Sequence, residues 1–352
     1  MSLDSSLRLL HLVGSPSDDF HAELSRLYAG ACLDALAGGK HVNQIAWVSP
    51  GGSWRFPDAL SVSALERAPA LNLSDAVSHI CTLGVDAVIP QMFCIPGMTT
   101  YRALFDELGI PYLGNPADVM ALGVDKARAR VTVAAAGVDV PAGEVLNAGE
   151  RPTLSYPVVV KPLDTDNSVG VSLARTPGEY DIAARSALVH SDAILVESYV
   201  ELGREVRCGI IVRDDELICL PLEEYAMDPA SKPIRTGEDK LARTDSGDLY
   251  LVAKDPERAW IVSDDDVLTE RVWAAARQCH RALGCRHYSL FDFRVDPSGR
   301  PWFLEAGLYC SYSPGSVIAV MASAIGLDVP QLLDIGLAEL KREGAQCLTS
   351  SG

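Results

Sequence analysis

Residues 287–307, HYSLFDFRVDPSGRPWFLEAG, admit few backbone paths. Asp296, Pro297, Ser298 and Gly299 form a strong turn signal between two runs of alternating character. With the turn confined to those four residues, Val295 faces Arg300 across an antiparallel hairpin. Side chains alternate with period two, so one face carries Phe291, Phe293, Val295, Trp302 and Leu304 and reads as a core face. The other carries Leu290, Asp292, Arg294, Phe303 and Glu305. Asp292 then lies opposite Phe303, and Glu305 is its diagonal neighbour, with Cα atoms roughly 7–8 Å apart. Hard oxygen ligands on rigid strands suit Mg²⁺, which also bridges nucleotide phosphates. On an open sheet face the same pair would be solvated acids. The register decides between these readings, because a slip of one residue sends Asp292 and Glu305 to opposite faces.

The chain of 352 residues is too long for one ordinary core, so two or three domains are expected. LRLLHLV (7–13), QIAWVSP (44–50) and DAVIPQMF (86–93) read as buried strands, with helices over 20–37, 74–82 and 100–108. A further strand-like run, IPYLG (110–114), closes an α/β unit near residue 115. A helix over 118–136, strands YPVVVKP (156–162) and AILVESYV (193–200), and a strand from Val171 form a compact α+β block. Beyond Val206, CGIIV and ELICLPL flank a turn at Arg213, Asp214 and Asp215. A polar loop over 226–247, a helix over 266–283, the hairpin and a last helix near 331–341 follow. The expected division is 1–116, 117–203 and 204–352.

The formal net charge is −17, which repels nucleic acid and anionic membrane surfaces. Neither is an expected partner. An anionic small molecule would need a local cationic pocket or a metal. There is no apolar run long enough to span a bilayer and no secretory pattern near Met1. Nine cysteines without a C-x-x-C pair suit a reducing compartment, so a cytoplasmic setting is expected. The seven histidines show no zinc-ligand spacing.

Lys161 ends an almost wholly apolar strand, where a lysine either snorkels or meets an anion. The small-residue loop after it, through Ser168 to Gly170, offers backbone N–H groups that could cradle a phosphate, or forms a plain hairpin connection. Lys126, on a helix after Asp125, reads by default as solvated. Glu197, after AILV, could accept from an exocyclic amine or close its strand in water, and Glu205 could bond ribose hydroxyls or pair with Arg204.

This order of lysine, strand lysine, small loop, strand glutamate and acidic hairpin resembles the ATP-grasp superfamily, and its D-alanine–D-alanine ligase branch in particular. The resemblance is carried by ELGIPYLGN, VDKARA, YPVVVKPLDTDNSVGVS, ILVESYVELGREV and FDFRVDPSGRPWFLEAG. It implies a three-domain ATP-grasp fold, combining α/β and α+β parts, and an ADP-forming ligase using ATP and Mg²⁺. By that likeness Lys126, Lys161 and Lys240 contact ATP phosphates, Ser168 belongs to the phosphate loop, Glu197 and the Val200 backbone meet adenine, and Glu205 meets ribose. Asp292 and Glu305 would ligate Mg²⁺. Three positions depart from the branch. Gly307 stands where an asparagine ligand is usual, and Leu290 where an arginine usually stabilises the tetrahedral intermediate of dipeptide synthesis, a role for which Arg294 is the nearest substitute. Residues 91–98 replace its His-Gly loop.

The departures are similar to a narrower group, the ligases that attach an amino acid to mycosporine-glycine to make ultraviolet-absorbing mycosporine-like amino acids. HLVGSP, LSRLYA, SWRFP, PQMFCIPGMTTYRALFD, LGREVRCGIIV, ALGCRHYSLFDFR and WFLEAGLYCS carry this likeness. It implies a mycosporine-glycine-like acceptor and an amino acid as substrates, Lys161, Lys240 and Arg294 as catalytic cations, and a homodimer. Glu23, Pro96, Gly97, Tyr309 and Ser311 are the candidate substrate contacts, near loops 91–101 and 309–316. The alternatives are a ligase forming D-alanyl-D-alanine or another dipeptide, and a non-catalytic nucleotide-binding protein.

Overall fold

The computed structural model describes residues 5–165, 168–236, 241–243, 249–251, 257–263 and 265–350. Three main sheets each draw their strands from one contiguous stretch of chain. The first contains β1 (Arg8–Gly14), β2 (Val42–Val48), β3 (Trp54–Arg55) and β4 (Ala87–Pro90), in the order β3-β2-β1-β4. β1 runs parallel to both β2 and β4, as buried apolar strands separated by helices predict. The expected strand at 110–114 makes only an isolated bridge, Val88 to Tyr112.

The second sheet is antiparallel, with β5 (Gly143–Leu146), β6 (Val158–Pro162), β7 (Ser172–Ala174) and β8 (Ile194–Ser198) in the order β5-β8-β6-β7. Alternation along β6 and β8 sorts its faces. Val158, Val160, Ile194 and Val196 pack on Tyr180, Ala183 and Ala187 of the helix Pro177–Ala187. The residues between them face the other way.

The third sheet holds β9 (Arg204–Arg213), β10 (Glu216–Cys219), β11 (Glu223–Tyr225), β14 (Ala259–Ile261), β15 (Tyr288–Val295) and β16 (Pro301–Gly307). Its order is β14-β11-β9-β15-β16, with β10 folded back on β9 through a turn at Asp214 and Asp215, both at positive φ. A separate ribbon pairs β12 (Leu241–Arg243), inside the stretch expected to be loop, with β13 (Leu249–Leu251), just beyond it. Phe291, Phe293, Val295 and Phe303 form a buried face against Val272, Ala276 and Cys279 of the helix Thr269–Ala282.

The hairpin departs from simple alternation. Val295 pairs with Pro301, not Arg300, so the strands start one residue out of the expected register. That slip makes Phe303 a core residue and leaves Trp302 partly exposed, with Nε1 donating to Asp296. A β-bulge between Phe293 and Asp292 inserts Leu304 as an extra residue and restores the phase. Asp292 therefore lies directly opposite Glu305, closer than the expected diagonal.

The single helix expected over 118–136 is two, Ala117–Val124 and Lys126–Ala135. Asp125 leaves helical geometry (ψ 99°) and caps the second helix by accepting from the Arg128 N–H. Lys126 thus becomes the first residue of a new helix and is buried instead of solvated.

Candidate active site

On β6 and β8 the face away from the helix carries Lys161 and Glu197. Both are nearly inaccessible, at 8% and 2% exposure. Lys161 Nζ lies 2.6 Å from Glu197 Oε2, and Arg130 Nε reaches Oε1 at 3.3 Å. Arg130 belongs to the helix that Lys126 starts. Lys126 turns its ammonium to the carbonyl of Thr165, and its backbone N–H donates to the Leu163 carbonyl at 3.3 Å. Both bonds tie that helix start to the loop after β6. Within this loop Ser168 adopts positive φ (57°), a conformation that aims successive backbone groups into one concavity.

Opposite stands the polar face of the third sheet. Register places Glu223, Arg207, Asp292 and Glu305 in one row across β11, β9, β15 and β16. Arg207 clamps Asp292 through Nε to Oδ1 (2.5 Å) and Nη2 to Oδ2 (3.1 Å). Burial opposes charge on Arg207, but the Asp292 carboxylate prevails and holds its pKa well above the usual arginine value. Arg235, from the loop after β11, reaches Asp292 Oδ2 at 3.4 Å. Its guanidinium carbon stands 3.7 Å from the centre of the Tyr225 ring. In the next row Arg294 grips Glu205 Oε2 through Nη2 (2.5 Å) and Nε (3.2 Å), and donates to the Val200 carbonyl at 3.3 Å.

These two sheet faces enclose a narrow cavity of about 60 Å³, lined among others by Lys161, Ser168, Glu197, Val200, Glu205, Asp292, Arg294 and Glu305. Eight sequence-predicted residues thereby meet around one space. A second cavity of about 540 Å³ adjoins it, with Glu305 in both walls. Lys126, Pro96 and Tyr309 line this larger cavity, beside Phe20, Phe93, Met98, Met120 and Leu308. Asp18 and His21 stand at its edge, joined Nδ1 to Oδ2 at 2.8 Å. Gly97 lies behind the wall, where a Cβ would strike Met92. Ser311 is buried and accepts from the Ser313 N–H at 3.3 Å. Glu23 is not among the lining residues and stands two residues past His21 on the helix Asp19–Ala35. Lys240 lies outside the described residues.

Arg130, Arg207, Arg235 and Tyr225 are absent from the sequence reading. Arg207 had a signal: it is a charge within the otherwise apolar VRCGIIV, as Lys161 is within its strand, and shares the parity of Glu205. Arg235 sits in a polar stretch that marks no position.

The donor set fits magnesium and a triphosphate. Two carboxylates, Asp292 and Glu305, face each other across the bulge. That matches Mg²⁺, which binds through one or two carboxylates and completes its shell with water and phosphate oxygens. The clamp on Asp292 leaves further lone pairs on each oxygen.

A profile of the D-ala D-ala ligase C-terminus matches residues 139–337. The D-alanine–D-alanine ligase of Gloeobacter violaceus is 34% identical over 240 residues, covering 66% of this chain and 74% of that protein. The chain belongs to the D-alanine–D-alanine ligase family. The enzyme of that name from Halalkalibacterium halodurans is 31% identical over 267 residues, covering 74% and 83%. Among solved structures, the VanG D-Ala:D-Ser ligase from Enterococcus faecalis superposes with a TM-score of 0.78 at 23% identity, covering 96% of this chain and all of that one. The fold is thus ATP-grasp, and membership of this ligase family makes the chain an ADP-forming C–N ligase.

Two of the three departures from the branch turn out to be one feature. Leu290 and Gly307 are a cross-strand pair beside Asp292 and Glu305. A Cβ built on Gly307 would lie 3.6 Å from Leu290 Cδ2, so the leucine covers the glycine in ordinary contact.

Proposed function

We propose that this ligase phosphorylates the ring ketone oxygen of a mycosporine-glycine-like cyclohexenone and joins the activated carbon to an amino acid amine. The observation that carries this reading is the apolar Leu290–Gly307 pair next to the two acids. An amine attacking an acyl phosphate turns the carbonyl oxygen into an alkoxide, which needs a cation beside it. A cyclohexenone conjugated to a ring amine is a vinylogous amide. Phosphorylation of its oxygen draws positive charge onto the ring nitrogen, and amine attack returns that electron pair to nitrogen. No alkoxide develops, so an aliphatic side chain is tolerated there. Loss of phosphate carries away the former ketone oxygen, the amine sheds its protons, and C=N replaces C=O, with ADP and phosphate as the other products.

The remaining roles belong to the same reading. Asp292 and Glu305 hold Mg²⁺, which supplies charge neutralisation of the phosphates. Lys126, Lys161, Lys240 and the Ser168 loop bind phosphate oxygens, and Glu197, Val200 and Glu205 meet the nucleoside. Arg294 serves as a positioning residue for Glu205 and the Val200 carbonyl. The cavity of about 540 Å³ lies within the usual size of small-molecule pockets, and its aromatic and aliphatic wall suits a ring. Three contiguous sheets support the division at residues 116 and 203. Eight free cysteines among the described residues support a reducing, cytoplasmic setting.

A second reading, D-alanine–D-alanine or other dipeptide ligation, is favoured by the names of the relatives. ADP release measured with ATP, Mg²⁺ and paired substrates separates the two. Turnover requiring both mycosporine-glycine and an amino acid such as serine, threonine or alanine supports the first. ADP release with D-alanine alone, and none with the cyclohexenone pair, establishes the second.

A further inference from the structure

Arg235 is a buried cation whose hydrogen bonding is incomplete. Nη1 reaches Asp292 Oδ2 at 3.4 Å, a long contact, and Nε is buried with no hydrogen-bond partner among the described residues. The nearest acid to Nε, Glu205 Oε1, is 3.9 Å away and too far to accept. A buried N–H without an acceptor is costly unless a ligand completes it. Arg235 lines the narrow cavity together with Lys161 and Ser168, so the incompletely bonded guanidinium borders the space where an anion would sit. Its plane is fixed by the Tyr225 ring beneath it, while Arg207 holds the same Asp292 from behind through two bonds.

We propose that Arg235 recognises the terminal phosphoryl group of the nucleotide. When MgATP binds, the guanidinium exchanges Asp292 Oδ2 for phosphoryl oxygens, which satisfies Nε, and Asp292 turns the freed oxygen to the metal while Arg207 keeps it oriented. The carboxylate is thus never left without a cation, and the arginine never without an anion. This rests on the ligase reading and deepens it: the cleft distinguishes ATP from ADP by a planar fork that only a γ-phosphoryl group can engage.

Calorimetric titration of the full chain with MgATP and with MgADP tests it without relying on turnover. Arg235→Gln should weaken MgATP by about 10- to 100-fold, a charge-assisted bidentate contact, and leave MgADP within about threefold. Arg235→Lys, which keeps the charge but not the fork, should recover only part of the MgATP loss, and its thermal melt guards against misfolding. Equal losses for both nucleotides, or no loss for either, would overturn the assignment while leaving the ligase reading intact. A wild-type chain that binds neither nucleotide would overturn both.

Discussion

The two cavities that meet at Glu305 are built by opposite means. The narrow one is a set of charges on strands, each fixed by register and by a partner of opposite sign: Lys161 on Glu197, Arg207 on Asp292, Arg294 on Glu205. The wide one is a shape, made by helix ends and connections that bring Phe20, Phe93, Met120 and Leu308 together. The first suits phosphoryl transfer, where catalysis is mostly positioning and charge neutralisation. The second offers few fixed charges and selects by contour. In such a molecule the common chemistry and the particular acceptor can change independently, and the shared glutamate is where they touch.

Perturbing the two sides should therefore give effects of different size and kind. Glu305→Gln leaves the bulge in place and removes one of the two facing carboxylates. ADP release should fall by about 10³-fold, and an unchanged rate would show that this carboxylate serves no metal. Asp292→Asn keeps the shape but weakens the proposed metal site, and a fall of about 10²- to 10³-fold in kcat is expected in the same assay. Lys161→Met leaves Glu197 to Arg130 alone and should cost about 10- to 100-fold in kcat/KM for ATP. On the other side, Phe93→Ala should raise the acceptor KM by about tenfold or less with MgATP affinity unchanged in a binding titration. Altered nucleotide binding there would erase the contrast between the cavities.

The smallest effect on either cavity comes from two histidines outside them. Burial lowers the pKa of His11 and of His280 to about 4. Their folded values lie below the unfolded value near 6.5, so the unfolded chain takes up protons first. The stability they contribute is complete above about pH 6.5 and is lost as pH falls through about 4. Thermal melting followed across that window should decline toward acid, and a flat profile would contradict neutral, buried imidazoles.

Much of the narrow cleft was legible because a lone charge inside an apolar strand has few places to go. Lys161, Glu197 and Asp292 announced themselves in this way, and alternation gave their faces. The hairpin shows where such reasoning stops. A turn read one residue too short misassigned Phe303, Trp302 and Leu304, and the bulge that restores the site has no signature beyond one extra residue. Alternation treats each strand as a single phase, whereas this strand changes phase between its core half and its site half. The break at Asp125 was hidden because aspartate is tolerated within a helix and only its cap to Arg128 reveals the restart. The wide cavity was least legible, since its wall joins residues more than 280 positions apart, such as Phe20 and Leu308, through tertiary packing alone.

That restarted helix has a mechanical consequence. Ala129 and Val133 are embedded in the core beneath the hairpin, while the first residue holds Leu163 and Thr165 of the loop after β6. The helix is a strut between two sheets that share no strand. Any ligand that draws Leu163 and Thr165 inward must pull on a rod seated under β16. Tension at one wall of the cleft is then carried to the other through the packed side chains of a single helix.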